Sequence, residues 1–381
     1  MEILWIMSDL SISLEALKQT RVRSQLSVST YFDEGVLRDE RALIFDPGPR
    51  YAGHELWVNE PGDYHALPHE AEGRVLVRDA QGVRLVSNVC RHRQALMLRG
   101  RGQTRGHIVC PIHRWTYGLD GQLQGAPHFQ AEPCLHLNDY PLHRWQGLLF
   151  DDRGRDVRAA LAGLGTTAEL DFGGYVLDRI EMHECNYNWK TFIEVYLEDY
   201  HVGPFHPGLG GFVTCDDLRW EFGEHHSVQT VGLQQALSRP GSGTYRRWHD
   251  ALLGYTGGKL PAHGAIWLTL YPNIMVEWYP HVLVVSTLYP RGPDRTQNVV
   301  EFYYPEDIAL FEREFVEAER AAYNETARED DEIGERMDAG RRALWQAGRS
   351  EVGPYQSPME DGMQHFHEFY RDEMAGVLAG L

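Results

Sequence analysis

Between residues 51 and 155, short apolar runs alternate with polar punctuation. Val75-Leu76-Val77, Val83 with Leu85-Val86, and Leu148-Leu149-Phe150 are each closed off by Gly, Asp or Pro. Runs this short, bounded by turn residues, predict β-strands. Asp120-Gly121, set between Leu119 and Leu123, predicts a tight hairpin. Residues 1–45 carry no strong motif and have some helical character. The second half reads differently. Residues 188–200 predict a helix, 266–270 and 282–285 two strands, and 298–304 a further strand. Residues 311–322 and 331–347 predict charged amphipathic helices. Neither half alternates strand and helix evenly, so the pattern favours α+β over a doubly wound sheet. A polar break at Arg153-Gly154-Arg155 marks the expected boundary. The expected division is an N-terminal segment 1–45, a β domain 46–155 and a second domain 156–381.

Composition narrows the class. The chain is 43% hydrophobic and 24% charged, with a formal net charge of −19. No basic patch is dense enough to neutralise phosphates, which argues against nucleic acid. No run approaches the ~20 apolar residues of a membrane span. Residues 1–7 are apolar but have no basic flank and no small-residue cleavage site, so no signal peptide is expected and a cytoplasmic location is the default.

The five cysteines are Cys90, Cys110, Cys134, Cys185 and Cys215. An odd number at irregular spacing is not a disulfide framework. Cys134, Cys185 and Cys215 are expected to be buried apolar thiols. Cys90 and Cys110 stand apart, since Cys90-Arg91-His92 and Cys110-Pro111-Ile112-His113 each pair a thiol with an imidazole. Two thiolates can hold one ferric iron while two neutral imidazoles hold a second, more reducible iron. That ligand set defines a Rieske [2Fe-2S] centre. Zinc fingers more often place two cysteines together and two histidines together, so a zinc site is the weaker reading. The segment from Pro111 to Tyr117, followed by Leu119-Asp120-Gly121, resembles the second cluster loop of Rieske proteins. Arg93-Gln94 departs from the usual Arg-Gly there, which bears on the backbone of the first loop.

A second constellation follows. Glu198, His201 and His206 form E-x2-H-x4-H. Five residues of ideal helix would turn the two histidines apart. Gly203-Pro204 is expected to supply the bend that brings them together. Glu198 and His201, three apart on the preceding helix, would share a face. Two histidines and a carboxylate are the facial triad of non-haem Fe(II) oxygenases. With both motifs in one chain, the sequence resembles the α subunit of Rieske non-haem iron ring-hydroxylating oxygenases over essentially its whole length. Asn188-Trp189-Lys190 through His206-Pro207-Gly208 is similar to the branch holding choline and carnitine monooxygenases and many aromatic-ring oxygenases.

The resemblance implies a Rieske domain ahead of a helix-grip catalytic domain, with one [2Fe-2S] cluster and one mononuclear Fe(II) per chain. The third iron ligand is an acidic residue late in the chain. Glu329, Asp330, Asp331, Glu360 and Asp361 are candidates, and the pattern Glu329-Asp330 with Ile333, Glu335 and Gly340 favours Asp330, at a helix opening. Asp338 stands where the family often has Gln. The resemblance also implies a head-to-tail homotrimer in which Glu198 bridges His201 to a neighbour's His113 for electron transfer. No Rossmann fingerprint and no plant-type ferredoxin cysteine run is present, and Gly208-Leu209-Gly210-Gly211 fits no nucleotide fold. Electrons from NAD(P)H are therefore expected through a separate flavin or iron-sulfur reductase, with a ferredoxin and a β subunit left open. The expected reaction is mono- or dioxygenation of a small organic substrate, an aromatic one first and a quaternary ammonium compound as the alternative. A bare Rieske electron carrier is the remote alternative. Residues 264–289 are expected to line the pocket, with Trp267, Tyr271, Asn273, Trp278 and Tyr279 as candidates.

Overall fold

A computed structural model describes residues 24–379, apart from 132, 235, 236 and 238. The reading of residues 1–23 as partly helical lies outside the described residues. Two short helices, Ser29–Phe32 and Glu34–Glu40, open the described chain, the second capped by the Asp33 side chain. Their buried Tyr31, Phe32, Val36 and Leu37 pack with Trp189, Ile193, Phe366 and Tyr370 of the second half.

The β-rich part is built of small antiparallel sheets. Tyr51–His54, Leu148–Asp151 and Leu142–Trp145 form one. A five-stranded sheet contains Arg74–Asp79 and Gly82–Ser87, the apolar runs of the sequence. A three-stranded sheet of His107–Val109, Thr116–Gly118 and Leu123–Gly125 includes the hairpin at Asp120-Gly121. Val75, Val77, Val86, Ile108, Trp115 and Tyr117 form a core that takes in Cys90 and Cys110.

The second half is dominated by a seven-stranded antiparallel sheet. We number its strands β1 (Tyr175–Cys185), β2 (Val213–Gly223), β3 (His226–Leu233), β4 (Ala265–Leu270), β5 (Ile274–Tyr279), β6 (Val282–Gly292) and β7 (Arg295–Pro305). Their order across the sheet is β1-β7-β6-β5-β4-β3-β2. Helices α1 (Trp189–Tyr196), α2 (Gly243–Tyr255), α3 (Arg313–Gln346) and α4 (Asp361–Glu373) complete the domain. Antiparallel sheets with helices gathered to one side make an α+β fold.

Three expectations change. Residues 266–289 contain three strands, because Ile274–Tyr279 is a strand of its own. Its residues Ile274-Met275-Val276 are wholly buried, so they show no polar alternation to mark a strand. The two charged helices are one, Arg313–Gln346, so Asp330 lies inside a helix and does not open it. The helix at 188–200 is shorter: Asn188 caps it and Tyr196 ends it, leaving Glu198 in the turn beyond.

The two halves are joined by buried polar contacts. Tyr51 Oη and Trp57 Nε1 both donate to Oε2 of the fully buried Glu301 on β7, at 2.9 and 3.0 Å. Burial raises the Glu301 carboxyl to about 8, against the hydrogen bonds from Tyr303, Tyr51 and Trp57. Arg155, the last residue of the expected β domain, reaches Glu373 at 3.1 Å.

Candidate functional site: two metal-ligating clusters and an acidic cavity

The two Cys-His loops share one backbone plan. The amide of Cys90 donates to the carbonyl of Ala95, and that of Gln94 donates back to Cys90, at 2.9 and 3.0 Å. The amide of Cys110 likewise donates to Trp115 and that of Arg114 to Cys110, at 2.8 and 3.1 Å. The fourth residue after each cysteine is left-handed, Gln94 at φ 53° and Arg114 at φ 64°. The departure at Gln94 thus leaves the turn intact and asks a side-chain-bearing residue to adopt a conformation that favours glycine.

Both thiols are 1% exposed. The His92 and His113 rings lie 4.6 Å apart between centroids, and Trp115 stacks on His92 at 5.0 Å. Nδ1 of His92 is buried without a hydrogen-bond partner. A buried imidazole nitrogen without a partner, beside a second imidazole and two thiols, fits the donor set of a two-iron cluster. Of the three remaining cysteines, Cys185 is buried, Cys215 is half-buried and Cys134 is exposed. The expectation of a buried thiol fails at Cys134 because it lies in an irregular loop without strand or helix to cover it.

The second cluster brings together two elements. His201 and His206 flank the short turn Val202–Phe205, and Asp330 projects from α3. Their ligand atoms lie within 4.8 Å of one another, the arrangement that could hold a metal. Gly203-Pro204 sits inside the helical turn, so the bend comes elsewhere. It falls at His206 (φ −107°, ψ 83°), because Pro207 disfavours helical geometry in the residue before it.

Carboxylates orient both rings. Nδ1 of His201 meets Glu198 Oε1 at 2.5 Å, and Nδ1 of His206 meets Glu329 Oε2 at 2.7 Å. The two Nε2 atoms then face each other at 2.9 Å, with Asp330 Oδ1 3.0 Å from His206 and 3.5 Å from His201. If each Nδ1 donates its proton, two bare lone pairs and a carboxylate oxygen converge on one point. That arrangement is repulsive unless a cation occupies it, so the donor set fits a divalent metal. Burial alone would lower His201, but hydrogen bonds with Asp330 and Glu198 outweigh it and push the ring up to about 10.

The other late acidic candidates have different partners. Asp331 accepts from Tyr187 Oη at 2.8 Å, and Glu360 accepts from the amide of Gln356. Asp361 starts α4. Asp338 accepts from the Asn188 amide and the Thr191 hydroxyl, at 2.7 and 2.6 Å, which fixes α3 to the start of α1.

A cavity of about 630 Å³ opens onto this cluster. Trp267 and Tyr279, two of the expected lining residues, border it. Tyr271, Asn273 and Trp278 are not on its wall. Trp278 neighbours Glu277 on β5, and strand alternation sends it to the opposite face, into the other core. Tyr271 Oη donates to Ser227, and the Asn273 amide to the Leu288 carbonyl, at 3.0 and 2.7 Å. Sequence reading missed Glu277, Tyr196, Glu319 and Tyr323, which line the cavity from β5, α1 and α3. Glu277 could have been flagged as an acidic residue inside an apolar strand segment, had that strand been recognised.

These features define a class. Residues 52–141 match the Rieske [2Fe-2S] domain and residues 171–376 the ring hydroxylating alpha subunit (catalytic domain). The chain belongs to the Rieske non-haem iron oxygenases, an oxidoreductase family with a [2Fe-2S] cluster and a catalytic iron. It is 65% identical to putrescine 2-hydroxylase of Ralstonia nicotianae over 97% of this chain and 100% of that protein. It is 28% identical to chloroplastic choline monooxygenase of Spinacia oleracea, over 89% of this chain and 76% of the relative. A quaternary ammonium Rieske monooxygenase, solved with an inhibitor, superposes with a TM-score of 0.73 at 20% identity, covering 92% of this chain and 95% of the other. That last likeness shows the fold alone. The aromatic substrate expected from the sequence has no support in these two relatives, which are named for putrescine and choline. The aromatic side chains around the pocket carry no signal of ring chemistry, since they serve equally against a cation.

Proposed function

We propose that this chain is the terminal oxygenase that hydroxylates an aliphatic diamine, putrescine or a close analogue, at an sp³ carbon. The observation that carries the reading is the 65% identity to a putrescine 2-hydroxylase across the full length of that relative. The cavity supports it, being walled by Glu277, Glu319 and Asp330 together with Trp267, Tyr196 and Tyr279. Carboxylates and aromatic faces together suit a cationic guest.

In this reading Cys90, Cys110, His92 and His113 hold the cluster, and His201, His206 and Asp330 hold the mononuclear iron. The cluster supplies electrons singly, and the mononuclear iron activates O2. The overall balance is RH + O2 + NAD(P)H + H⁺ → ROH + H2O + NAD(P)⁺, with the nicotinamide oxidised by a separate reductase. The protein's own task is to hold a flexible dication with one C–H bond toward the His201–His206–Asp330 corner. Glu198 and Glu329 fix the ring orientations there. A homotrimer fits the surface, because Leu96, Ile112 and Phe129 around the cluster loops are 51%, 56% and 49% exposed. Among the described residues no helix is long and apolar enough to cross a membrane. A cytoplasmic site of action is part of the proposal.

The test is coupled NADH and O2 consumption with a surrogate reductase. Butane-1,4-diamine should drive consumption and yield 1,4-diaminobutan-2-ol, a product one oxygen atom heavier. Turnover of choline or carnitine without diamine turnover would replace this reading with the quaternary ammonium one.

A further inference from the structure

The cavity wall contains a buried carboxylate that no ion pair reaches among the described residues. Glu277, on β5, is 2% exposed. Tyr279 Oη donates to its Oε2 at 2.8 Å and Tyr323 Oη donates to its Oε1 at 3.4 Å. Trp267 Nε1 in turn donates to Tyr279 Oη at 3.1 Å, and Trp267 pairs across the strands with Glu277 itself. Two neutral side chains therefore bond the carboxylate directly, and a third, Trp267, bonds one of them. Among the described residues no Lys, Arg or His lies within ion-pair distance of it. Some other buried acids of this chain are ion-paired; Glu301 and Asp199 are not, and Glu301 bonds Tyr51 and Trp57 between the two halves, away from the cavity. Glu194 has Arg341 at 2.5 Å, Glu40 has Lys190 at 2.5 Å, and Glu319 on the same cavity feels the Arg179 guanidinium.

Taking a carboxylate out of water without a counter-ion costs several kcal/mol. Replacing it by a neutral residue would remove that cost, so its presence at a cavity wall points to a guest that supplies the missing positive charge. The wall around it is suited to such a guest: Tyr196 and Trp267 line the same space, and aromatic faces attract ammonium groups. Burial is what raises the Glu277 carboxyl to about 8, with Glu319 and Asp330 adding to it. Glu277 lines the same cavity as His201, His206 and Asp330.

We infer that the Glu277 carboxylate seats the far ammonium group of an alkyl-diamine, and so selects two-ended amines of matching length over one-ended ones. This rests on the proposed diamine hydroxylation. A monoamine of equal length would leave the carboxylate unpaired. Sites built to bond a polar group reject analogues lacking it far more strongly than apolar pockets reject a methylene.

The experiment measures calorimetric affinity of the oxidised holoenzyme, which cannot turn over without reductase, for butane-1,4-diamine, pentane-1,5-diamine and 1-aminobutane. Wild type should bind the four-carbon diamine about 100-fold tighter than 1-aminobutane. In Glu277→Gln this ratio should collapse to within about threefold while the visible cluster spectrum is unchanged. Glu277→Asp keeps the charge but draws it back by one methylene. It should shift the ratio of five- to four-carbon diamine affinity about tenfold toward the longer amine, a change that a merely structural residue would not produce. A wild-type ratio in Glu277→Gln, or an unshifted length preference in Glu277→Asp, overturns the inference and leaves diamine hydroxylation standing. Wild type that neither binds nor hydroxylates a diamine overturns both.

Discussion

Glu198 Oε1 lies 2.5 Å from Nδ1 of His201, and its other oxygen accepts from the His201 amide at 3.1 Å. The carboxylate thus grips its histidine by ring and backbone together from a turn, after the helix has ended at Tyr196. The pair could be read from the three-residue spacing, although the geometry that makes it is not helical. A carboxylate so placed orients the ring and tunes its basicity.

Glu198→Gln keeps the size and removes the charge. The cluster and most of the mononuclear iron should be retained. Reoxidation of the reduced cluster, followed by single-turnover rapid mixing with O2 and substrate, should slow by orders of magnitude if Glu198 is the bridge to a neighbouring His113. His113 is exposed and available to such a neighbour. Reoxidation at the wild-type rate would reduce Glu198 to an orienting partner of His201.

Asp330→Ala should lose about one iron of three while leaving the visible cluster spectrum and the reduced-state EPR signal intact, because the two sites share no ligand. Iron analysis checks this. Asp331→Ala should keep all three, since Asp331 is bonded to Tyr187. Cys110→Ala should do the converse of Asp330→Ala, abolishing the EPR signal.

The candidate ligands are legible in the sequence because metal chemistry restricts both residue type and spacing. Cys90, His92, Cys110, His113, His201 and His206 follow from short-range motifs that survive without knowledge of the fold. Asp330 is favoured by a pattern of neighbours, and its helix is longer than expected: residues 323–330 fall between the two expected helices, whereas several of their charges face the cavity or the histidines. The cavity wall was the least legible part. Trp267 and Tyr279 were found, but Tyr271, Asn273 and Trp278 were not separable from them without the strand register that sends alternate residues to opposite faces. Glu277 and Tyr323 meet only because β5 and α3 cross in space.

Gln94 occupies a left-handed turn at φ 53° beside the cluster. Left-handed geometry costs a residue with a Cβ roughly 1–2 kcal/mol. Gln94→Gly should therefore stabilise the folded state, offset in part by greater freedom of the unfolded chain, for a net gain of about 0.5–1 kcal/mol. The amide that donates to Cys90 is kept. Denaturant unfolding should show a higher midpoint with an unchanged slope. A lower midpoint would mean that the Gln94 side chain does something the turn geometry does not require.

Glu277 also predicts how amine binding depends on pH. In the free protein its carboxyl is raised to about 8 from an ordinary 4.5, by burial first and by Glu319 and Asp330 next, against the hydrogen bonds from Tyr279 and Tyr323. These groups and Tyr196, facing it from β5, α3 and α1, are acidic or neutral; Arg247 and Arg328 also line the cavity but are not among the causes of the shift. An ammonium pairs with the carboxylate form, and alkylammonium groups stay protonated up to about pH 10. Below pH 8 binding must therefore expel a proton. Diamine affinity should rise about tenfold per unit between pH 6 and 8, level off, and fall again above about pH 10. Stability without amine runs the other way. A carboxyl raised on folding binds its proton more tightly in the native state, so its contribution is fully present below the unfolded value of 4.5 and is lost as pH rises through about 8. Glu277→Gln removes both effects from this position. Its amine affinity should be nearly flat from pH 6 to 8, and its thermal midpoint should decline less than that of wild type between pH 5 and 8. Calorimetric titration in buffers of different ionisation enthalpy, with thermal unfolding across the same range, checks the two slopes. A wild-type pH slope of affinity in Glu277→Gln would assign the titrating group elsewhere.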